Sequence, residues 1–414
     1  MNAQDQVTEA TAAELLKDYE PGQSFFFATP EATWLAQGTL AVLPSAAGLG
    51  ELQTLPDRAA RLLAQLKQTG QRLPMLVGAI PFDPKQPAHL VVPLTVRKLE
   101  KLNLDPHDPL RSPIGSSYTI EPVPAPESYV AGANKAIARM RAGELDKIVL
   151  ARTLKLTSPQ PIRLQELLHN LAQHNTLGYT FAVDLPKRAE HVGRGLHGEK
   201  TVDRTRTLIG ASPELLVART GTQLYVNPLA GSTPRSSDPV EDEQRAEALM
   251  VSPKDLREHA LVIEAVAEAL RPFCKSLDVP EKPSLVSTAA MWHLSTEIRG
   301  ELADPEMTSL ALAMALHPTP AVCGSPTELA REAIEEIEPF DRGFYTGLVG
   351  WCDANGDGEW VITIRCAVAE SHTLQLYSGA GIVAESSAES ELKETSAKFR
   401  TMLRAMGVQD DEAF

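Results

Sequence analysis

The amino-acid sequence predicts a mixed α/β fold of the α+β type, with antiparallel sheets and separate helices. Two observations support this prediction. Apolar residues recur at three- and four-residue spacing in three long segments, which is the period of an amphipathic helix. Short apolar runs bounded by Gly, Pro, Asn and Asp fill the intervals, and such runs are typical of strands. The helical segments are residues 127–142, 253–272 and 388–406.

The first hundred residues contain short apolar runs and one helical segment. Residues 24–30 and 73–82 predict strands, and residues 56–69 predict a helix. We take residues 1–102 as the N-terminal part of the fold. Residues 103–126 contain six prolines. Because proline fixes φ and lacks an amide donor, this stretch is predicted to be an extended connection across the surface.

Residues 127–414 form the largest predicted unit, and their first helix is predicted to end at Gly143. The strand-like runs that follow are residues 147–156, 180–185 and 207–219. The loop 186–206 is locally basic, and we interpret it as a solvated surface loop that could touch the entrance of a site in the segment after it.

The two later helices have recognisable start signals. Ser252 stands at a predicted N-cap, with Pro253 at the first helical position and Asp255 three residues after the serine. Ser386 and Glu389 repeat the capping pattern before the last helix.

Between these two helices the sequence predicts three adjacent strands in an antiparallel meander. The strands are residues 343–352, 358–370 and 373–383, joined at Asn355-Gly356 and Ser371-His372. Residues 353–358 begin like a calcium-binding loop. Position twelve of that loop would be Ile364 rather than a bidentate glutamate, so we predict a hairpin turn instead.

Charge and hydropathy exclude several classes of protein. The chain has 39 Lys and Arg against 54 Asp and Glu, a net charge of −15, which disfavours binding to nucleic acid or to an anionic membrane surface. No apolar run approaches the roughly 20 residues that cross a bilayer. The N-terminal residues do not resemble a signal peptide, which predicts a cytoplasmic protein. The cysteines are predicted to be reduced thiols in the core: Cys274, Cys323, Cys352 and Cys366.

No nucleotide-binding loop or nucleophile elbow stands out. Gly379-Ala380-Gly381 lacks the third glycine of a dinucleotide fingerprint and does not open a helix directly. The glycines instead predict a place where backbone amides approach an anion.

Two helices carry acidic residues three positions apart. Asp255 precedes Glu258 in this way on one helix, and Glu391 precedes Glu394 on the last helix, with Lys398 one turn further on. On spacing alone these are solvated acidic faces. The alternative is a shared site for a hard divalent cation, because Mg²⁺ prefers oxygen ligands and keeps several waters.

Ten segments in a fixed order resemble the chorismate-utilising enzymes, the family that includes the isochorismate, anthranilate, salicylate and aminodeoxychorismate synthases. They extend from about residue 120 to the C-terminus, roughly 70% of the chain. The segments are DKIVLAR, IGASPELL, NPLAGSTPR, SPKDLREH, WHLSTEIRG, HPTPAVCG, EPFDRGFYTGLVGW, EWVITIRC, SGAGIV and ELKETSAK. The resemblance implies a chorismate-binding fold with large antiparallel sheets in two layers, helices outside and the site between the sheets. It also favours a monomer.

Within this family the chain is most similar to the isochorismate synthases of catecholate-siderophore pathways. Lys147 in DKIVLAR distinguishes between members of the family. The isochorismate and salicylate synthases use a lysine there to activate water, whereas anthranilate synthases have glutamine. A salicylate synthase, which eliminates pyruvate from bound isochorismate, is the nearest alternative. Anthranilate-type amination is disfavoured because Lys147 would obstruct the ammonia position. A dicarboxylate-binding module without turnover is the remaining alternative.

The resemblance implies a Mg²⁺-dependent isomerisation that adds water at C2 of chorismate and removes the hydroxyl at C4. Lys147 is implied as the base and Glu214 as the acid. Each has to sit in its less usual state near neutral pH, and burial favours the uncharged form of both.

The remaining implied roles concern the metal and the substrate. Glu258 and Glu394 would bind Mg²⁺ directly, with Asp255 and Glu391 reaching it through water. Arg365 would hold the enolpyruvyl carboxylate as a two-pronged donor. The other implied substrate contacts are Gly231, His293, Ala321, Gly379, Gly381 and Lys398. For His293 the alternative is a hydrogen-bonded histidine in the core.

Overall fold

The computed structural model describes residues 11–46, 50–71, 73–115, 117–186 and 205–408. The helices are α1 (Ala12–Lys17), α2 (Leu55–Gln68), α3 (Pro126–Arg141), α4 (Leu164–Gln173), α5 (Pro239–Val251), α6 (Pro253–Leu270), α7 (Ser309–Leu316), α8 (Thr327–Ile337) and α9 (Ala388–Ala405), with a 3₁₀ turn at Arg271–Phe273. The four predicted helices are confirmed, and each of their ends lies within two residues of its predicted position. Residues 187–204, most of the basic loop, lie outside the described residues.

The strands of the first half of the chain are β1 (Ser24–Ala28), β2 (Ala32–Gln37), β3 (Ala41–Val42), β4 (Met75–Ile80), β5 (His89–Val92), β6 (Thr95–Glu100), β7 (Thr119–Val123), β8 (Lys147–Thr157), β9 (Tyr179–Leu185) and β10 (Arg206–Ser212). Those of the second half are β11 (Leu215–Thr220), β12 (Gln223–Asn227), β13 (Leu229–Pro234), β14 (Cys274–Asp278), β15 (Ser284–Ser287), β16 (Met291–Ser295), β17 (Ile298–Leu302), β18 (Gly324–Ser325), β19 (Leu348–Asp353), β20 (Gly358–Ile362), β21 (Cys366–Glu370) and β22 (Thr373–Ile382).

These strands form two large antiparallel sheets and one small sheet. The first sheet has the order β18-β8-β22-β21-β10-β9-β1-β2-β6, with β7 also paired to β8. The second has the order β14-β17-β12-β11-β20-β19-β4-β5-β3. The third sheet, β13-β16-β15, was not predicted. N-terminal strands enter both large sheets, as when β1 pairs with β9 and β4 pairs with β19.

The layers follow from where the apolar side chains lie. One cluster, which includes Phe27, Val77 and Val361, fills the space between the two large sheets. A second packs α4 and α9 on the outer face of the first sheet, and a third packs α2, α6 and α7 on the second sheet. The predicted fold class, with sheets in two layers and helices outside, is therefore confirmed.

Two stretches that were predicted as single strands change sheets. One of them divides the predicted meander into two hairpins, β19–β20 and β21–β22, so its two turns are confirmed but its place in a single sheet is wrong. Residues 207–219 break at Pro213-Glu214, so that β10 lies in the first sheet and β11 in the second. Residues 358–370 break at 363–365, so that β20 lies in the second sheet and β21 in the first. Arg365 has a φ of 49°, a left-handed conformation that ends a strand. Apolar runs buried on both faces do not reveal in which sheet each half lies.

Local signals are confirmed in some places and corrected in others. The Ser252 side chain caps α6 by accepting from the Asp255 amide, as predicted. Ser387, not Ser386, stands at the N-cap of α9, while the Ser386 hydroxyl accepts from the Val383 amide. The turn between β19 and β20 is the predicted hairpin, closed by the Asp353 carboxylate. The four cysteines are free thiols. No helix in the described part of the chain is long and apolar enough to cross a membrane.

Candidate active site

A cavity opens where the first sheet, the third sheet and the two sheet-to-sheet crossings meet. Its lining includes ten of the predicted site residues: Glu214, Gly231, Glu258, His293, Ala321, Arg365, Gly379, Gly381, Glu394 and Lys398. The three others do not line it: Lys147 pairs with Glu258 and Asp255 packs against Gly231, both of which are lining residues, whereas Glu391, one turn before Glu394 on α9, pairs with Lys254. The structure therefore brings together side chains separated by up to 251 positions in the sequence (147 to 398).

The two crossings place Glu214 and Arg365 beside each other. The Ile362 amide donates to the Glu214 carbonyl at 3.1 Å, and the Ala211 amide donates to the Arg365 carbonyl at 3.0 Å. The crossing segments are thus hydrogen-bonded to each other. Because neither residue belongs to a sheet ladder at this point, both side chains can face the cavity instead of a sheet neighbour.

Lys147 begins β8 and is fully buried. Its Nζ lies 2.9 Å from Glu258 Oε1, so strand β8 and helix α6 meet through this ion pair. Gly381 on the neighbouring strand makes room for it: a Cβ there would lie 2.1 Å from Glu258 Oε1. The glycine run that the sequence singled out therefore has a steric reason at this position.

Glu214 has the electrostatics of a proton donor near neutral pH. Burial raises the pKa of its carboxyl to about 7, against the opposing effects of the Leu229 amide, Lys147, Arg365 and Lys398. The Leu229 amide donates to Oε1 at 3.4 Å. A carboxyl group with such a pKa is substantially protonated near pH 7, as the acid role requires.

Arg365 and His293 form a second pair inside the cavity. Arg365 Nη2 donates to His293 Nε2 at 3.4 Å, and both residues are buried. Burial, reinforced by Arg365 and Lys398, holds the pKa of His293 well below its usual value. His293 is therefore neutral, and since a guanidinium can only donate, its Nε2 is the unprotonated nitrogen.

Helix α9 brings Glu394 and Lys398 to the cavity. The Lys398 ammonium lies 2.6 Å from Glu394 Oε1 and donates to the Gly379 carbonyl at 3.0 Å. Ser232 on β13 donates to the same Glu394 oxygen at 3.1 Å. Burial acts to raise the pKa of Glu394, but Lys398 and the other donors prevail and lower it.

The remaining acidic residues lie close enough to influence one another. Burial, and then neighbouring carboxylates, raise the pKa of Asp255 and of Glu391. Lys254 lies 2.7 Å from Glu391. Gly231, with a φ of 79°, packs against Asp255, since a Cβ at position 231 would lie 3.0 Å from the Asp255 Cβ. At this contact, β13 of the third sheet packs closely against helix α6.

The donor set suits a hard cation, because it consists of carboxylate oxygens on two facing helices. Lysines neutralise three of the glutamates in the structure: Lys147 at Glu258, Lys398 at Glu394 and Lys254 at Glu391. Within the described ranges, no three His, Cys, Asp or Glu side chains converge tightly enough to hold a metal ion as they stand. These carboxylates are suitable ligands for Mg²⁺. To bind the ion, the glutamates would have to exchange their contacts with lysine side chains for contacts with the metal.

Sequence reasoning missed several residues of the site. Ser232, Tyr345 and Thr346 line the cavity, and the Tyr345 ring stacks on Tyr377 with centroids 5.0 Å apart. Ser232 and Tyr345 stand in segments that carry the family resemblance, but no feature of spacing or composition separated them from their neighbours.

His259, next to Glu258, was also missed. Its Nδ1 lies 3.1 Å from the Ala230 carbonyl and its Nε2 lies 2.7 Å from Thr296 Oγ1. Burial lowers its pKa to about 4, so it is a neutral link between α6 and β13.

Comparison with known proteins agrees with this geometry. The model of the family described as chorismate binding enzyme matches residues 91–194 and 200–407. The chain belongs to the chorismate-binding enzymes. Among members of this family, isochorismate synthase DhbC of Bacillus subtilis (strain 168) is 58% identical over 405 residues, covering 98% of each chain. The vibriobactin-specific isochorismate synthase of Vibrio cholerae serotype O1 is 42% identical, over 96% of this chain and 95% of that protein.

Solved structures of the family support the fold. The crystal structure of a putative 2,3-dihydroxybenzoate-specific isochorismate synthase, DhbC from Bacillus anthracis, superposes with a TM-score of 0.89 at 52% identity, over 96% of this chain and 100% of that one. Anthranilate synthase component I from Streptococcus pneumoniae shares the fold at 19% identity, with a TM-score of 0.64 over 97% of this chain and 95% of that one. The predicted resemblance to the chorismate-utilising enzymes is confirmed.

Proposed function

We propose that this protein is a Mg²⁺-dependent isochorismate synthase whose product, isochorismate, serves the synthesis of 2,3-dihydroxybenzoate for a catecholate siderophore. The observation that carries the proposal is that a buried carboxyl, Glu214, whose pKa is raised to about 7, lines the cavity, and that a buried lysine, Lys147, is paired with Glu258 of the same lining. The full-length similarity to isochorismate synthases of siderophore pathways supports the same substrate and product.

The reaction needs one base and one acid. Lys147 takes a proton from water as the water oxygen bonds to C2 of the ring, which requires that the lysine first gives up the proton it carries in its ion pair with Glu258. The ring double bonds shift and the bond from C4 to its hydroxyl oxygen breaks, while Glu214 gives that hydroxyl a proton so that it leaves as water. One water enters and one leaves, so substrate and product are isomers. Return of the proton from Lys147 to Glu214 restores both groups.

The other residues bind and orient the dianionic substrate. Arg365, held in the cavity by its crossing, would hold the enolpyruvyl carboxylate through paired N–H donors. Lys398 offers a second positive charge, and neutral His293 keeps the Arg365 side chain in place. The backbone at Gly379, Gly381, Gly231 and Ala321 lines the cavity and would contact the substrate. Glu258 and Glu394 would bind Mg²⁺ directly, and Asp255 and Glu391 would bind it through water molecules. The ion would neutralise the charge of the ring carboxylate.

The experiment that tests this function is incubation of the purified protein with chorismate, with and without Mg²⁺, followed by chromatographic separation of the products. We expect isochorismate, formed only in the presence of Mg²⁺. Salicylate plus pyruvate would reassign the protein to the salicylate synthases, and an aminated ring formed with ammonia would reassign it to the anthranilate type. If chorismate binds but is not converted, the protein would be a binding module without turnover.

We also propose that the enzyme is a cytoplasmic monomer that acts on a small molecule and needs no nucleic acid or membrane. Its free cysteines are consistent with a reducing compartment. Light scattering of the purified protein in solution checks the oligomeric state, and we expect the mass of one chain, 44.8 kDa.

A further inference from the structure

A buried ion pair stands directly behind the cavity wall. Arg342 and Glu338 have side chains that are only 2% exposed, with Arg342 Nε 2.8 Å from Glu338 Oε2 and Arg342 Nη2 2.5 Å from Oε1. Neither residue lines the cavity. The pair therefore cannot touch the substrate, and its contacts with the wall decide what it does.

Arg342 donates one hydrogen bond to each of three separate segments of the wall. The acceptors are the Val149 carbonyl at 2.7 Å, the Val322 carbonyl at 2.9 Å and the Thr346 hydroxyl at 3.2 Å. All three acceptors belong to residues that line the cavity. Glu338 adds a fourth link, because its Oε1 accepts from the Ala151 amide at 2.7 Å.

These links join the strand of the proposed base to the opposite wall. Val149 and Ala151 follow Lys147 on β8, and the backbone of β8 already pairs with β18 at Lys147 and Ser325. The Val149 amide also donates to the Cys323 carbonyl at 2.8 Å. The amide and the carbonyl of Val149 point to the same edge of β8, so Arg342 and Glu338 continue along this edge the hydrogen bonds that the 323–325 segment makes with the start of the strand.

The guanidinium has little freedom to move. Its carbon lies 4.6 Å from the centre of the Phe82 ring and 5.8 Å from that of Tyr345. Thr346, which it contacts, has a φ of 57°, a conformation that a β-branched residue adopts only when its surroundings impose it. The Thr363 carbonyl accepts from the Thr346 amide at 2.8 Å and supplies the other restraint.

Burying an ion pair generally adds little net stability, because desolvation offsets the attraction between the charges. What a rigid, five-donor guanidinium provides is a fixed arrangement of its acceptors. We propose that Glu338 and Arg342 form a positioning pair that sets the place of Lys147 in the reaction. This proposal rests on the proposed function and assigns a role to residues outside the substrate cavity.

The test compares Arg342→Lys with a matched control, Arg219→Lys. A lysine at 342 keeps the charge but cannot bond all three wall segments at once. Arg219 is also buried and also bonds a carboxylate and two carbonyls, those of Asp357, Asn355 and Pro305, but it lies away from the cavity. Because misplacement by about 1 Å can cost about 100-fold in rate, we expect kcat per folded molecule to fall at least about tenfold in Arg342→Lys.

The groups proposed to bind substrate are not bonded to the pair, so KM for chorismate should change less than about threefold in Arg342→Lys. Arg219→Lys should keep both constants within about twofold, even if both variants melt earlier. Hydrogen exchange at the Val149 amide should accelerate only in Arg342→Lys. If Arg342→Lys does not fold, Glu338→Gln is measured in the same way, with the same expected pattern.

The possible results distinguish failure of this proposal from failure of the proposed function on which it rests. Unchanged kcat per folded molecule in Arg342→Lys, or equal losses in both arginine variants, would overturn the positioning role. A wild-type protein that does not convert chorismate would instead overturn the proposed function, and the exchange of the Val149 amide would still show whether the pair restrains β8.

Discussion

Glu214 and Arg365 lie side by side at the only two places in the described chain where one predicted strand splits between the two large sheets. The carbonyl of each accepts a hydrogen bond from the strand end next to the other crossing: the Ile362 amide donates to Glu214 at 3.1 Å and the Ala211 amide to Arg365 at 3.0 Å. The two breaks therefore support each other. They also put a carboxyl group whose pKa burial raises to about 7 into the same cavity as a guanidinium.

Replacement of Lys147 by alanine should abolish turnover while leaving the fold and Mg²⁺-dependent substrate binding intact. The base would be lost, and general base catalysis contributes roughly 10²- to 10⁴-fold. The measurement is kcat for chorismate, with circular dichroism to check folding and calorimetry to check binding. Lys155→Ala is the control, because Lys155 is an exposed lysine on the same strand. Near-normal turnover by Lys147→Ala would show that the base is another group.

The pH profile should report Glu214. Since its pKa is raised to about 7 and the acid must be protonated, kcat/KM should fall as pH rises through about 7. The same shift means that the folded state holds this proton more tightly than the unfolded state. The contribution of Glu214 to the free energy of unfolding should therefore decrease as pH rises from about 4.5 to about 7.

The control for this profile is Glu214→Gln, which cannot donate the proton. Its kcat should be lower by roughly 10²- to 10⁴-fold, and the limb near pH 7 should disappear from what activity is left. A limb that persists unchanged in Glu214→Gln would belong to a different group.

Glu258→Gln should weaken the response to Mg²⁺. A neutral amide is a poorer ligand for a hard divalent cation than a carboxylate, so the Mg²⁺ concentration that gives half-maximal activity should rise at least about tenfold. The titration is repeated with Glu264→Gln, which changes an exposed glutamate on the same helix and should leave the curve where it is. An identical curve for Glu258→Gln would refute the ligand role.

Gly381→Ala should damage the site without damaging the fold. Its Cβ would lie 2.1 Å from Glu258 Oε1 and 3.2 Å from Lys147 Cε, so the Lys147–Glu258 pair would have to move. We expect at least a tenfold loss of kcat, in line with the cost of misplacing catalytic groups. Gly115→Ala is the control, since its Cβ would meet nothing closer than 3.6 Å. Steady-state kinetics and melting curves of both variants decide the question.

Much of the fold could be predicted because its signals are local. The helical period located α2, α3, α6 and α9 within two residues, and the proline at position 253 with the Ser252 cap fixed the start of α6. Turn residues predicted the β19–β20 hairpin. The small third sheet escaped prediction because its strands are short, and because the pairing of β13 with β16 joins segments far apart in the chain.

The candidate site was predicted largely through its resemblance to a family, since spacing alone favoured solvated acidic faces. Ten of the thirteen residues then proved to line one cavity, Lys147 and Asp255 to contact lining residues, and Glu391 to pair with Lys254. Ser232 and His259 were missed because no local sequence pattern indicates their contacts. Ser232 bonds Glu394, and His259 bonds the Ala230 carbonyl.

The sequence by itself determined four of the nine helices in the described residues, the strands that lie next to them, the acidic character and the family, because periodicity, caps and motifs are properties of neighbouring residues. Only the tertiary structure decided which sheet each half of a buried strand joins, since an apolar run fits either sheet equally well. It alone decided the protonation of Glu214 and the pairing of Lys147 with Glu258. Both depend on removal from water and on charges brought close by folding, over distances in sequence that local patterns do not reach.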